Sequence, residues 1–490
     1  MTVRKTVFLV LSSVLFSMTL RWTIDPDLWW HLKTGQVIVT QGIPRMDIFS
    51  FTMYGKPWIT HEWLSEVFLW AIHAFGGPPA LIIAFALLGV LIFNLVYFTC
   101  AGRPFLAFPL TLLACWTSKY MWGPRPQVMN ILMVAVFMWL LENIRQKKLS
   151  WQWFYLFPFL IMLWVNLHSG YLIGVMVLFT FLAGDALQIF LRKSEEGTFG
   201  EKNLWHLTIV SFLSPVVALV NPSGFKIWHY PFETLRSQAM QQGILEWLSP
   251  DFHHPFYKPF IAVMVLGAFA FMATHRKRNI TEMFLYAGTM AAGLISRRHI
   301  PFFAVVAVPI ISRALLDCFQ DSKWWLFLEE KILSPKPSRI VQIVNTVLVI
   351  SVLAVTGQRT SQQILSNEIV IRGEFPVEAI KFMKEKGITK LHGYNEYGWG
   401  GFLIWNDIPV FIDGRVDMYG GAFFRMWANI YDLQSKNWTE MYSIFKQFDV
   451  RYVLLKSNSL LAAVLRTNQD WAEAFRDRTA SLFILQKPLP

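Results

Sequence analysis

The chain has 490 residues, of which 54% are hydrophobic, 16% aromatic and only 16% charged. Soluble domains carry about 25% charged residues, and the mean hydropathy of +0.40 points away from them. The formal net charge of +12 does not indicate a nucleic-acid partner, because the basic residues sit in short clusters between apolar blocks, the pattern of cytoplasmic anchoring.

Apolar blocks that can cross a bilayer fall at approximately 6–22, 78–99, 104–118, 127–142, 151–165, 171–191, 204–220, 259–274, 280–295, 300–313 and 339–356. The reading is an α-helical polytopic membrane protein of about 11 transmembrane helices. The first block follows Arg4 and Lys5 and is not followed by a small-residue cleavage site, so it reads as a retained span and not a signal peptide. Cys100, Cys115 and Cys318 lie in or beside apolar blocks and offer neither a disulfide framework nor a metal spacing.

Lys and Arg set the orientation. With the N-terminus inside, the inner segments carry Arg4 and Lys5, Arg103, Arg145 with Lys147 and Lys148, Arg192 with Lys193, Arg276 to Arg278, and Lys323 to Arg339. The outer connections hold the other polar residues. The first, about 23–77, contains Asp25-Pro26-Asp27, His31, His61 and Glu62; its second half, Glu62 to Phe75, has apolar residues at helical spacing and reads as an interfacial helix. Beyond Gly357 the composition changes. Helices are expected at Pro376–Lys386 and Thr439–Phe448, and strands at Ile408–Ile412, Val450–Leu455 and Ser481–Gln486. The expected division is a transmembrane domain over 1–356 and a small C-terminal α/β extracytoplasmic domain over 357–490.

The outer residues supply the candidate chemistry. An extended Asp25-Pro26-Asp27 would present both carboxylates on one face, where a pair can hold a divalent cation such as Mg2+ or Mn2+, or one can act as a base. A helix cap accounts for one Asp, not for the pair with His31. His61 and Glu62 open the interfacial helix, with Glu66 one turn further along the same face. Asp47 reads as a turn residue. Arg125, flanked by prolines, suits bidentate phosphate recognition or reads as an interfacial snorkelling side chain. Arg297, Arg298 and His299 crowd a short outer turn and read as an anion site. Asn166 and His168 interrupt an apolar stretch, as substrate contacts or as polar glue between helices. In the terminal region, Asp413 and Arg415 read as a structural pair.

With its acidic motif directly after the first span, long first outer loop and terminal outer domain, the sequence resembles the GT-C superfamily of polytopic glycosyltransferases. The stretches DPDLWWHL (25–32), HEWLSE (61–66), RPQ (125–127) and VFIDGRVDMY (410–419) also resemble those of uncharacterised bacterial members. The resemblance implies inverting transfer of a sugar from a polyprenyl-phosphate-linked donor, in contact with membrane lipid, to an acceptor outside the cytoplasm; the acceptor is not specified. It implies a multi-pass protein of the cell (inner) membrane. Asp25 or Asp27 would then be the catalytic base or a metal ligand. Arg125, Arg297 and Arg298 would hold the carrier phosphate, with His31, His61, Glu62, His168 and His299 completing the substrate contacts. A metal is not required, because some members work without one. The sequence lacks the WWDYG-type motif of oligosaccharyltransferases and the adjacent Asp-Glu pair of protein mannosyltransferases. Two other classes use the same residues differently: a transporter or flippase of a lipid-linked or anionic solute, and a non-catalytic envelope scaffold.

Overall fold

The structure is a computed structural model that describes residues 1–191, 198–236, 241, 243–277, 279–333, 337–434 and 438–487. The expected inner basic residues Arg192, Lys193 and Arg278 lie outside the described residues. The chain forms two compact units. One comprises Met1–Arg21, Ile82–Phe225 and Leu245–Gln363; the other comprises Trp22–Leu81, Lys226–Ile244 and Ile364–Pro490. This division does not follow chain order: the first outer loop folds with the C-terminal segment, not with the apolar helices.

The first unit is helical. Helices occupy all eleven expected blocks, among them Val3–Thr19, Ala107–Thr117, Gln127–Arg145, Tyr171–Phe190, Glu201–Val217, Lys258–Ala273, Ile280–Ile295 and Ile300–Phe319. Six helices of the described chain are long and apolar enough to cross a membrane. The others fall short; Ala107–Thr117 has 11 residues and spans about 16 Å at 1.5 Å per residue, against a hydrocarbon core of about 30 Å. Small residues let the helices approach. A Cβ on Gly184 would lie 2.3 Å from Thr281 Oγ1, and one on Gly267 would lie 2.3 Å from the Tyr286 hydroxyl.

Buried charges in this unit are paired, as ions out of water must be. Arg145 Nη2 meets Asp185 Oδ1 at 2.5 Å, Arg313 Nη2 meets Glu142 Oε1 at 3.2 Å, and Arg313 Nε meets Glu282 Oε1 at 2.9 Å. This lattice ties together Gln127–Arg145, Tyr171–Phe190, Ile280–Ile295 and Ile300–Phe319.

The second unit is built on a four-stranded sheet. Its strands are β1 (Gly393–Asn395), β2 (Tyr452–Lys456), β3 (Trp471–Arg476) and β4 (Ala480–Leu485), in the order β1-β2-β4-β3. β1 and β2 are parallel; β4 is antiparallel to both its neighbours. The helices Val377–Glu385 and Trp438–Gln447 match the expected ones, as do β2 and β4. Ile408–Ile412 is not a ladder strand. Val410 makes one isolated bridge to Ser50, and this apolar run is buried by joining the first loop to the core around Tyr394, Phe445 and Phe483.

The helix Leu28–Gln41 turns Trp29 into the unit, edge-on to Phe375 and Phe402 with centroids 5.7 and 4.9 Å away. The expected interfacial helix is the first leg of Trp63–Thr99. Its path breaks at Gly76 and Gly77, where φ is −156° and +62°, and Pro78 and Pro79 follow.

Candidate functional site

The DPD stretch is a turn, not an extended segment. Asp25 Oδ1 accepts the Asp27 amide at 2.9 Å, a side-chain-to-backbone bond typical of Asp in turns, and the Leu28 amide bonds back to the Asp25 carbonyl. This closes the entry to Leu28–Gln41. Asp27 occupies the cap position without capping; its Oδ1 accepts the Trp30 indole N–H at 3.1 Å. The turn is seated on glycines. A Cβ on Gly414 would fall 1.8 Å from Asp27 Oδ1, and one on Gly401 would fall 2.4 Å from the Pro26 carbonyl.

One turn along that helix, His31 is buried between two carboxylates. Its Nδ1 lies 3.1 Å from Glu66 Oε1 and its Nε2 lies 3.5 Å from Glu62 Oε2. The chain of polar groups continues: His61 Nε2 lies 3.5 Å from Glu62 Oε1 and 3.4 Å from the Tyr230 hydroxyl, which donates to Asp417 Oδ2 at 3.0 Å. The short spacing from Glu62 to Glu66 puts both acids on one helical face, and the helix carrying them approaches the one carrying His31 at Gly35, where a Cβ would lie 2.1 Å from the Glu66 carbonyl.

His31, Glu62 and Glu66 fit a cation. Their ligand atoms lie within 4.8 Å of one another, and the buried Glu66 Oε2 has no hydrogen-bond partner among the described residues. Burial and then Glu62 push the Glu66 carboxyl well above the usual carboxylate range, and two carboxylates this close in a water-poor site cannot both stay ionised without a positive charge between them. A divalent ion on one ring nitrogen supplies it. A proton does so too, and an imidazole with one nitrogen toward each carboxylate is shaped for that role.

His61 titrates above the usual imidazole value: burial alone would lower it, and the carboxylates of Glu62 and Asp417 more than reverse this. Its charged form therefore contributes stability that is complete below about pH 6.5 and lost as pH rises through the elevated value. Heating the protein at pH values from about 6 to about 9 should show a falling Tm that flattens in His61→Gln. Parallel profiles would remove His61 from this role.

The same unit holds a second buried cluster. Arg415 donates Nε and Nη2 to the two oxygens of Asp413, at 2.8 and 2.7 Å, and Nη1 to Asp47 Oδ1 at 2.8 Å. Tyr419 donates to Asp413 Oδ2 at 2.7 Å, and the guanidinium lies 4.6 Å from the Trp58 ring centroid. Asp413 and Arg415 thus form the expected pair. Asp47 holds its turn by accepting the Phe49 and Ser50 amides, but it is also a buried counter-ion, which its sequence surroundings do not disclose.

The helical unit contains a separate cationic cluster. Arg125 Nη1 meets Glu246 Oε1 at 2.6 Å. Arg298 lies 4.3 Å from the centroid of the adjacent Trp247 ring, and Arg297 donates Nε to the Ser249 carbonyl at 3.2 Å. Burial pushes the Glu246 carboxyl up, yet Arg125 and then Arg298 hold it below the usual carboxylate range. Two arginine sites far apart in sequence, Arg125 and Arg297 with Arg298, thus converge on residues 245–249. His299 lies beside Trp247, with ring centroids 6.4 Å apart. His168 has a local role here: its Nδ1 accepts the Gly170 amide at 2.9 Å, beyond the end of Leu156–Leu167. Asn166 donates to the Val220 carbonyl at 2.9 Å.

The comparisons with known proteins fit this architecture. Neither a protein-family model nor a curated protein sequence matches the chain. Solved structures do match. The oligosaccharyltransferase AglB from Archaeoglobus fulgidus, in complex with an inhibitory peptide and a dolichol-phosphate, aligns over 92% of this chain and 69% of its own, with TM-score 0.57 and 11% identity. ArnT from Cupriavidus metallidurans, bound to undecaprenyl phosphate, aligns over 97% of both chains with TM-score 0.55 and 11% identity. Its apo form gives TM-score 0.53 and 13% identity over 97% of this chain and 96% of its own. The chain has the fold that AglB and ArnT share.

Proposed function

We propose that this chain is an inverting glycosyltransferase of the cell membrane, moving a sugar from a polyprenyl-phosphate-linked donor to an extracytoplasmic acceptor. Its N-terminus is then cytoplasmic and its C-terminal segment lies outside. The observation that supports the reading is that Arg125 and Arg298 both face one carboxylate, Glu246, so these guanidiniums already hold an anionic group, in a fold shared with a protein bound to undecaprenyl phosphate.

One of Asp25 and Asp27 takes the proton of the acceptor hydroxyl. The acceptor oxygen forms a bond to the anomeric carbon from the face opposite the phosphate, and the bond from that carbon to the phosphate oxygen breaks. Polyprenyl phosphate leaves with the electron pair, its charge stabilised by cationic groups. A divalent cation, where the reaction uses one, would be held by His31, Glu62 and Glu66 and would neutralise the charge of the two carboxylates.

The test needs no knowledge of the acceptor. Full-length protein in vesicles made from the whole native envelope fraction, which supplies the acceptor hydroxyl, should release polyprenyl phosphate from its sugar-loaded form, read by mass spectrometry. A transporter would move the donor across the bilayer with no change in mass. Arg125→Gln and Arg298→Gln should each raise the KM for donor about 10- to 100-fold, the loss expected of a charged hydrogen bond to phosphate. Unchanged KM in both variants would remove the phosphate assignment.

A further inference from the structure

We propose a second phosphate-binding site, at the end of the helical unit where the sequence places the inner basic clusters; it does not rest on the transferase reading. A cavity of about 550 Å³ opens there, lined by Arg4, Arg103, Lys148 and Arg313, with Phe8 and Phe98 as an aromatic wall. Glu329 is the one carboxylate among its lining residues. The four cations come from four separate stretches: the N-terminus, the turn after Trp63–Thr99, the turn after Gln127–Arg145 and the helix Ile300–Phe319.

The parts of this cavity differ in kind. Arg313 is a fixed group at its inner side. Glu282 and Glu142 hold its Nε and Nη2, while Nη1 has no hydrogen-bond partner among the described residues. The lattice therefore fixes this guanidinium and leaves one of its nitrogens uncommitted. Arg4, Arg103 and Lys148 are exposed and can swing onto a ligand. Arg103 already has a defined pose, donating Nη1 to the Phe98 carbonyl at 3.1 Å with its guanidinium 5.9 Å from the Phe98 ring centroid.

Arg313 is balanced by Glu142 and Glu282, so the charge that selects an anion is that of Arg4, Arg103 and Lys148 against Glu329, and guanidinium groups select phosphate geometry. The wall explains what is attached to that phosphate. Phe8 and Phe98 lie with centroids 5.5 Å apart, and Phe98 is 42% exposed at the end of an apolar helix. Such a surface suits the acyl chain beside a headgroup and serves no purpose for a free ion. The ligand is the headgroup of an anionic phospholipid, bound as basic pockets between transmembrane helices bind such lipids.

The full-length protein in nanodiscs of phosphatidylcholine doped with phosphatidylglycerol provides the test. Native mass spectrometry should show one phosphatidylglycerol retained in preference to phosphatidylcholine. The triple variant Arg4→Gln, Arg103→Gln, Lys148→Gln should weaken that retention on the order of 100-fold, since each cation near an anionic surface is worth about a factor of five. Glu329→Gln should strengthen it severalfold, and a control triple of exposed lysines, Lys381→Gln, Lys386→Gln, Lys390→Gln, should leave it unchanged. Inorganic phosphate is added in a parallel arm. Binding of it that the first triple abolishes, without lipid preference, would keep the site and assign it to free phosphate. Equal phosphatidylglycerol retention and equal phosphate binding in the first triple and the wild type would overturn the proposal.

Discussion

Arg415→Met is expected to destabilise the sheet-containing unit by about 3–5 kcal/mol, the cost of breaking a buried ion pair from one side. Arg415 is 2% exposed, Asp47 1% and Asp413 0%, so its loss leaves two carboxylates in the core with no cation between them. Met reaches only to about the position of the guanidinium Nε, so part of the loss is the void left beside Trp58 by Cζ and the two terminal nitrogens. Arg415→Lys should fall between, because an ammonium keeps the charge but cannot bridge both Asp413 oxygens and Asp47 in one plane. Heat-induced loss of the monodisperse peak in detergent measures the effect. A Met variant as stable as the wild type would show that the cluster is incidental to folding.

The second large effect is on turnover. Asp25→Asn combined with Asp27→Asn should lower release of polyprenyl phosphate at least about 100-fold, the lower end of what a positioned base contributes. Folding should survive. An Asn side-chain carbonyl can accept the Asp27 amide and the Trp30 indole N–H as the carboxylates do, and it removes only basicity and charge. Wild-type turnover in the double variant would move the base elsewhere, with Glu62 and Glu66 the next acids to replace. A variant that is inactive and also unfolded would assign these residues to the turn alone.

The sequence discloses elements better than it discloses assemblies. The apolar helices were readable because hydropathy acts along the chain, and Val377–Glu385 because its apolar residues keep helical spacing. β3 was missed because it is an edge strand: Trp471 is buried while Glu473 and Ala474 are exposed, and that charge protects an edge but erases the alternation. Ile408–Ile412 misled in the opposite sense, since a run of apolar residues reads alike whether it sits in a ladder or is merely covered. Asp25, Asp27, His31, His61 and Glu62 were singled out individually, but their geometry depends on Gly35, Gly401 and Gly414, whose role is to have no side chain. The link from Arg125 to Arg298 runs through Glu246 and Trp247, and no local pattern marks that stretch.

The break at Gly76 and Gly77 has a consequence for how this protein can diversify. An unbroken helix would fix the azimuth of Glu62 and Glu66 to every residue below them, so adding or losing one residue in the span would rotate the acids by about 100° away from His31. A joint with φ of +62° at Gly77, followed by two prolines, interrupts that gearing. The span after it can lengthen or shorten to match bilayers of different thickness while the acids keep their alignment, and drift in the greasy half of this segment is thereby insulated from its acidic half.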